Sequence, residues 1–157
     1  MNITENNTYE MTNVISYRGK VTQQQLSVIM NEIGTIIQEN GASKTGPNVS
    51  ATFAVEMEGG QPVMDVEILV PIDREISLPS GYKFKPLFRL CDAVKIRHEG
   101  NPAMLQNSVN ELMGYVKNNG LTPITPGYNV TIKEPTGPSD ADGLIVDMYV
   151  GVTRSVL

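Results

Sequence analysis

The sequence predicts an α+β fold in which two pseudo-symmetric β-α-β-β repeats form one antiparallel sheet, with both helices on one face. Two observations support this prediction. The segment NEIGTIIQENG, which begins at Asn31, returns 79 residues later as NELMGYVKNNG from Asn110. The strand-like segments DVEILVPI and IVDMYVGV recur at an offset of 80 residues. Two offsets this similar favour duplication of a whole unit, because solenoid repeats have shorter periods.

A chain of 157 residues has the usual size of one domain. We expect a first repeat over about residues 9–72, a connector over about 73–90 and a second repeat over about 91–152. The N-terminal segment lacks the basic and apolar regions of a signal peptide, and no segment approaches about 18 consecutive apolar residues. These features predict a cytoplasmic protein that makes no membrane contact.

The first predicted helix has signals at both ends. Thr22 and Gln25 have the spacing of a capping box, and Gly41 supplies the left-handed stop. Its apolar residues recur at helical spacing, which predicts one buried stripe. They are Leu26, Ile29, Met30, Ile33 and Ile37.

The second predicted helix opens with Asn101 as N-cap and Pro102 in the first turn, and Gly120 ends it. Its apolar stripe consists of Leu105, Val109, Leu112, Met113 and Val116. Because each helix buries only one side, both need a sheet to pack against.

The remaining segments supply the strands. Gly59 and Gly60 separate two strand-like runs and predict a hairpin, and a second pair flanks the Pro/Gly/Asp-rich loop 135–143. The connector is expected to hold a loop and an extended segment, in which Pro86 argues against a central strand.

Period-2 alternation divides the strand residues between the two faces of the sheet. Two uniformly apolar sets are expected under the helices: Val66, Ile68 and Val70, and Val146, Met148 and Val150. The mixed sets are expected on the other face: Asp65, Glu67 and Leu69, and Ile145, Asp147 and Tyr149. The predicted ligand-binding residues are Glu67, Leu69, Ile145, Asp147 and Tyr149.

Glu67 and Asp147 occupy equivalent places in the two repeats, so we expect them on the floor of a cleft between the repeats. Ligand sites are mostly apolar with a few placed polar groups. A carboxylate there would favour a cationic or hydrogen-bond-donating ligand, since an unpaired buried charge is costly. The simpler alternative is a solvated sheet face on which acidic residues only contact water.

The sequence offers no catalytic motif and predicts no catalytic residue, metal site or cofactor. It has one cysteine, Cys91, interpreted as a small buried residue, and one histidine, His98, interpreted as a hydrogen-bonded structural residue on an apolar strand face. The net charge of −5 argues against nucleic-acid binding. The densest basic group is expected on outer strand faces: Lys83, Lys85, Arg89, Lys95 and Arg97.

Four segments carry a resemblance to a known family: SYRGKV, VEILVPI, IRHEGNPAMLQNSVNEL and IVDMYVGV. In this order and spacing they resemble the duplicated module of the GyrI-like superfamily, which includes effector-binding domains of AraC- and MerR-type regulators. The resemblance implies amphipathic, often cationic, ligands bound between the halves, with Glu67 or Asp147 pairing the cation. It also implies a standalone form here, without a helix-turn-helix.

The leading hypothesis is therefore a non-enzymatic small-molecule-binding protein. One alternative is a protein-interaction module that docks a partner through the acidic sheet face or a strand edge. Another is a small-molecule hydrolase of the same family, which is disfavoured because no nucleophile–base pair can be identified. A homodimer through the same face is compatible with the sequence, although no sequence feature requires it.

Overall fold

The structure is a computed structural model that describes residues 3–154. It has the predicted α+β fold, with α-helices and a mostly antiparallel sheet. The described chain divides into two compact units, called here the first unit (residues 10–88) and the second unit (residues 3–9 with 89–154). Between residues 3 and 154, no helix has the length and apolar character needed to cross a membrane.

In the first unit the elements follow the predicted order strand, helix, strand, strand, whereas in the second unit an additional short strand follows the helix. Along residues 3–154 they are β1 (Ile3–Val21), α1 (Gln23–Glu39), β2 (Val49–Glu58), β3 (Gln61–Pro71), β4 (Tyr82–Glu99), α2 (Leu105–Asn118), β5 (Leu121–Pro123), β6 (Tyr128–Lys133) and β7 (Ile145–Arg154). The short strand β5 was not predicted. The origin of the two units by duplication stays a prediction.

In the first unit, β3 lies between β1 and β2 and is antiparallel to both. The predicted hairpin is confirmed, since Gly59 and Gly60 join β2 to β3 with φ angles of 57° and 81°. The capping box of α1 is also present, with 2.9 Å from Thr22 N to Gln25 Oε1 and 3.2 Å from Gln25 N to Thr22 Oγ1. One apolar cluster joins the helix to the strands: Ile15, Ile33, Ile37, Ile68, Val70 and Ile72.

In the second unit, β7 lies between β4 and β6 and is antiparallel to both, and β5 pairs with its last residues. Helix α2 packs against the strands through an apolar cluster that includes the predicted set of β7. Its buried members are Val94, Ile96, Leu112, Val116, Leu121, Leu144, Val146, Met148 and Val150. Burying a side chain of this size contributes about 1.5–3 kcal/mol, so this cluster stabilises the placement of α2 on the sheet.

The predicted start of the second helix is wrong by one turn. Asn101 caps a 3-10 turn, Pro102–Met104, by accepting a hydrogen bond of 2.8 Å from Ala103 N. The α-helix begins only at Leu105. An Asn cap followed by Pro suits either kind of first turn, so the sequence signal did not distinguish them.

Strand β4 corrects a second expectation. Cys91 is exposed rather than buried. Its neighbour Asp92 has a φ of 51°. A left-handed residue interrupts the regular pleat, so burial at this position does not follow from residue type. The extended segment predicted in the connector forms the first half of β4, and the strand runs through Pro86.

Candidate functional site

The predicted site residues lie on the strand faces that do not pack against the helices. Glu67 and Leu69 are in β3 of the first unit, while Ile145, Asp147 and Tyr149 are in β7 of the second. Glu67 is only 9% exposed and Asp147 only 3% exposed. The alternative of acidic side chains on a solvated face is therefore wrong for these two residues, because both are withdrawn from water.

Glu67 is held by a cation within its own unit. Lys85 Nζ, on β4, donates a 3.2 Å hydrogen bond to Glu67 Oε2. In the strand register Glu67 lies opposite Arg18 of β1. Arg18 in turn donates two hydrogen bonds to Asp65, of 2.9 Å and 3.0 Å. Basic side chains of β1 and β4 therefore contact acidic side chains of β3.

These side chains surround a cavity of about 570 Å³, called here the first-unit cavity. Its lining consists of Ser16, Arg18, Glu67, Gly81, Tyr82, Lys83 and Lys85. The volume falls in the range of roughly 300–1,000 Å³ that is usual for small-molecule sites. One of the predicted ligand-binding residues, Glu67, thus lines a cavity large enough for a small organic molecule.

Asp147 has a stronger set of partners in the second unit. Arg97, opposite it on β4, donates from Nε at 2.7 Å and from a terminal nitrogen at 2.9 Å. Lys95 Nζ lies 3.4 Å from the second carboxylate oxygen. Burial opposes ionisation of Asp147, but the hydrogen bonds from Arg97 and the positive charge of Lys95 outweigh it and hold the pKa below 3.8. Asp147 is therefore an ionised carboxylate whose negative charge is balanced by Arg97 and Lys95.

The ring of Tyr149 contacts Lys95, which is one of the partners of Asp147, and the aromatic ring of Tyr9. Its ring centroid is 5.2 Å from that of Tyr9, and Lys95 Nζ lies 5.6 Å from the Tyr149 ring. Both distances are within the range of favourable aromatic and cation–π contacts. Burial raises the pKa of both tyrosines, so their hydroxyls remain protonated at neutral pH.

His98 is a structural residue, as its apolar neighbours predict. Its Nδ1 lies 2.8 Å from Ser108 Oγ on α2, and its Nε2 lies 3.1 Å from the carbonyl oxygen of Asn101. Both ring nitrogens are engaged in contacts that hold α2 and its preceding turn to β4. In the described part of the chain, no group of three or more His, Cys, Asp or Glu side chains is placed to hold a metal ion.

Sequence reasoning missed the basic partners of the two carboxylates. Lys85, Lys95 and Arg97 were expected on outer strand faces, yet all three contact buried carboxylates. The sequence does contain a signal for these pairs, because residues of opposite charge on neighbouring strands tend to lie opposite each other. Applying it requires the register, which pairs Arg97 with Asp147 across 50 residues of sequence.

No protein-family model and no curated protein matches the chain. Solved structures do match it. The EcmrR C-terminal domain is 18% identical with a TM-score of 0.75, and the match covers 99% of this chain and 100% of that one. EcmrR in a DNA complex gives 18% identity and a TM-score of 0.76 over 98% of this chain, which spans 58% of the EcmrR chain.

The chain has the fold of the EcmrR C-terminal domain, in agreement with the GyrI-like resemblance of its sequence. Two other structures with a related fold are more distant. A hydrolase from Listeria innocua is 12% identical, with a TM-score of 0.58 over 97% of this chain and 91% of that one. SAV2435 bound to tetraphenylphosphonium is 11% identical, with a TM-score of 0.50 over 97% and 93%. At these identities the GyrI-like likeness establishes the fold alone, since one fold hosts many functions.

Proposed function

We propose that this protein binds a small molecule without transforming it, and that the first-unit cavity is part of its binding site. The observation that carries the proposal is the position of Glu67, which the sequence predicts as a ligand-binding residue and which lines a cavity of about 570 Å³. The same GyrI-like fold occurs in SAV2435, whose structure holds tetraphenylphosphonium, and this supports small-molecule binding by the fold.

The proposed site also includes Leu69, Ile145, Asp147 and Tyr149. The pairing of Tyr149 with Tyr9 supports this part, because tyrosine rings offer apolar area together with a hydrogen-bonding group. The prediction that the ligand lies in a cleft between the repeats remains a prediction from the sequence.

The charge of the ligand has to be tested separately from binding itself. The family resemblance predicts an amphipathic cation bound by Glu67 or Asp147. Both carboxylates already contact protein cations, at 3.2 Å for Lys85 on Glu67 and at 2.7 Å for Arg97 on Asp147. A cationic ligand would therefore have to replace one of these side chains, and the test must compare ligand charges directly.

A thermal-shift screen tests the proposal. Tetraphenylphosphonium, tetraphenylborate and triphenylphosphine oxide present similar aromatic groups with positive, negative and no charge. A compound present at 100 times its dissociation constant should add about 2.7 kcal/mol to the free energy of unfolding. The screen is repeated on Glu67→Gln and Asp147→Asn, with Glu58→Gln as control because Glu58 is exposed at the end of β2.

Stabilisation by at least one compound that is reduced in Glu67→Gln or Asp147→Asn, and retained in Glu58→Gln, is the expected result. If no compound raises the melting temperature at solubility-limited concentrations, small-molecule binding by this chain is refuted for these ligand classes. Stabilisation that is equal in all variants would place the site away from both carboxylates.

A further inference from the structure

We propose that the ligand of the first-unit cavity is an organic anion, whose charged group is bound by Lys83 and Lys85 with Arg18 nearby. The inference rests on the proposed function, since it assigns a ligand class to the same cavity. It departs from the cationic ligand that the family resemblance predicts.

The charges around the cavity carry the inference. Arg18, Lys83 and Lys85 line it, and Glu67 is the one carboxylate in the lining. Adding Asp65, which is paired with Arg18, leaves three cations against two carboxylates. This group is thus net positive in a chain whose net charge is −5.

The excess positive charge belongs to Lys83. Asp65 accepts from Arg18 at 2.9 Å, and Glu67 accepts from Lys85 at 3.2 Å. Within residues 3–154, Lys83 makes no ion pair. A bound anion would supply its partner, and it would add a second acceptor for Lys85.

The placement of the two lysines follows from the pleat of β4. Successive side chains of a strand point to opposite faces. Tyr82 and Phe84 pack against the apolar cluster of α1. Lys83 and Lys85 alternate with them and line the cavity. The fold therefore directs both ammonium groups toward the cavity, rather than leaving them at unrelated surface positions.

Ser16 supplies a second, independent observation. It lines the cavity, is only 4% exposed, and makes no side-chain hydrogen bond within the described residues. Buried hydroxyls usually have a partner. A hydroxyl can donate to an anionic oxygen as well as accept a hydrogen bond. A carboxylate ligand would thus satisfy Ser16 and Lys83 together.

A cationic ligand fits this cavity less well. It would approach Lys83 without finding an unengaged carboxylate, because Glu67 contacts Lys85 at 3.2 Å. Tyr82 also borders the cavity, but its ring packs on the α1 side of β4, where its hydroxyl donates to Glu32 at 2.6 Å. The basic side chains of the lining therefore specify the charge of the ligand, and a carboxylate on a compact ring system is a simple probe of that charge.

Isothermal titration with three ligands on one ring system tests the proposal. The ligands are 2-naphthoate, 2-naphthamide and 2-naphthamidine, which are anionic, neutral and cationic at neutral pH. The variant is Lys83→Met. Its control is Lys44→Met, which removes the same charge from an exposed residue of the same unit that does not line the cavity.

We expect the naphthoate to bind more tightly than the amide and the amidine. Lys83→Met should weaken naphthoate binding roughly fivefold, the scale of one partly exposed ion pair, while Lys44→Met leaves it unchanged. Raising the ionic strength should weaken naphthoate binding and leave amide binding unaffected, since salt screens charge interactions.

Tighter binding of the amide or the amidine would overturn the anion proposal and leave small-molecule binding intact. Naphthoate affinity that Lys83→Met does not change would also overturn it, because the charged group would then lie elsewhere. If naphthoate fails to bind while the screening compounds stabilise the protein, only the anion proposal falls. If neither experiment detects binding, the proposed function falls with it.

Discussion

At the residue scale, the main feature of the structure is a pair of buried carboxylates, Glu67 and Asp147. Glu67 and Asp147 were predicted as site residues from the alternation of strand residues, their equivalent places in the two predicted repeats and the family resemblance, and both are buried in the structure. Their partners Lys85 and Arg97 were not identified, because a cross-strand pair depends on the register. Residue type and periodicity thus predicted which carboxylates leave the helix-facing side of the sheet, whereas their ion-pair partners became known only from the folded structure.

Asp147→Asn should lower the free energy of unfolding by about 1–3 kcal/mol at neutral pH, because Arg97 and Lys95 lose their charged acceptor. Chemical denaturation measures this difference. Asp142→Asn is the control, since Asp142 is exposed in the loop before β7. Equal, small effects of the two substitutions would contradict a stabilising role for the Asp147 contacts.

The Asp147 effect should depend on pH with a definite sign. The pKa of Asp147 in the folded protein lies below its ordinary value of 3.8. A carboxyl with a lowered pKa contributes stability that is present above 3.8 and is lost as the pH falls through the folded-state pKa. The difference between wild type and Asp147→Asn should therefore shrink on acidification below about pH 4. A difference that stays constant down to pH 2 would contradict this.

At the element scale, the helices were the easiest part to predict. The capping box of α1 requires only residues that are close in sequence, and both of its hydrogen bonds are present. The residues under the helices were also predicted, because an apolar stripe and an alternating strand both show in a short window. Strand β4 was harder, since the left-handed backbone at Asp92 has no reliable signal in the sequence.

Gly34 within α1 and Gly41 just after its C-terminal cap should respond in opposite directions to substitution. Gly34→Ala places a methyl group in open space on an exposed helical position, and it should stabilise the protein by about 0.5–1 kcal/mol. Gly41 has a φ of +62°, so Gly41→Ala should destabilise the protein by about 1 kcal/mol. Paired thermal denaturation of the two variants measures this. Changes of the same sign would contradict the assigned end of the helix.

At the scale of the whole molecule, overall charge was a poor guide to local charge. The net charge of −5 argues against nucleic-acid binding, yet at a local scale the first-unit cavity has an excess of basic side chains. Lys85 and Glu67 are 18 residues apart, and the pair forms only when β4 lies beside the sheet. The α+β fold class, by contrast, was predicted from the order of strand-like and helical segments along the sequence.

The most direct test of small-molecule binding is nuclear magnetic resonance mapping of backbone amides during titration with 2-naphthoate and, separately, with tetraphenylphosphonium. The account predicts saturable shifts for at least one ligand, centred on the residues that line the first-unit cavity: Ser16, Arg18, Glu67, Gly81, Tyr82, Lys83 and Lys85. Shifts that do not saturate with either ligand would contradict small-molecule binding. Saturable shifts confined to residues 89–154 would contradict the assignment of the ligand to the first-unit cavity.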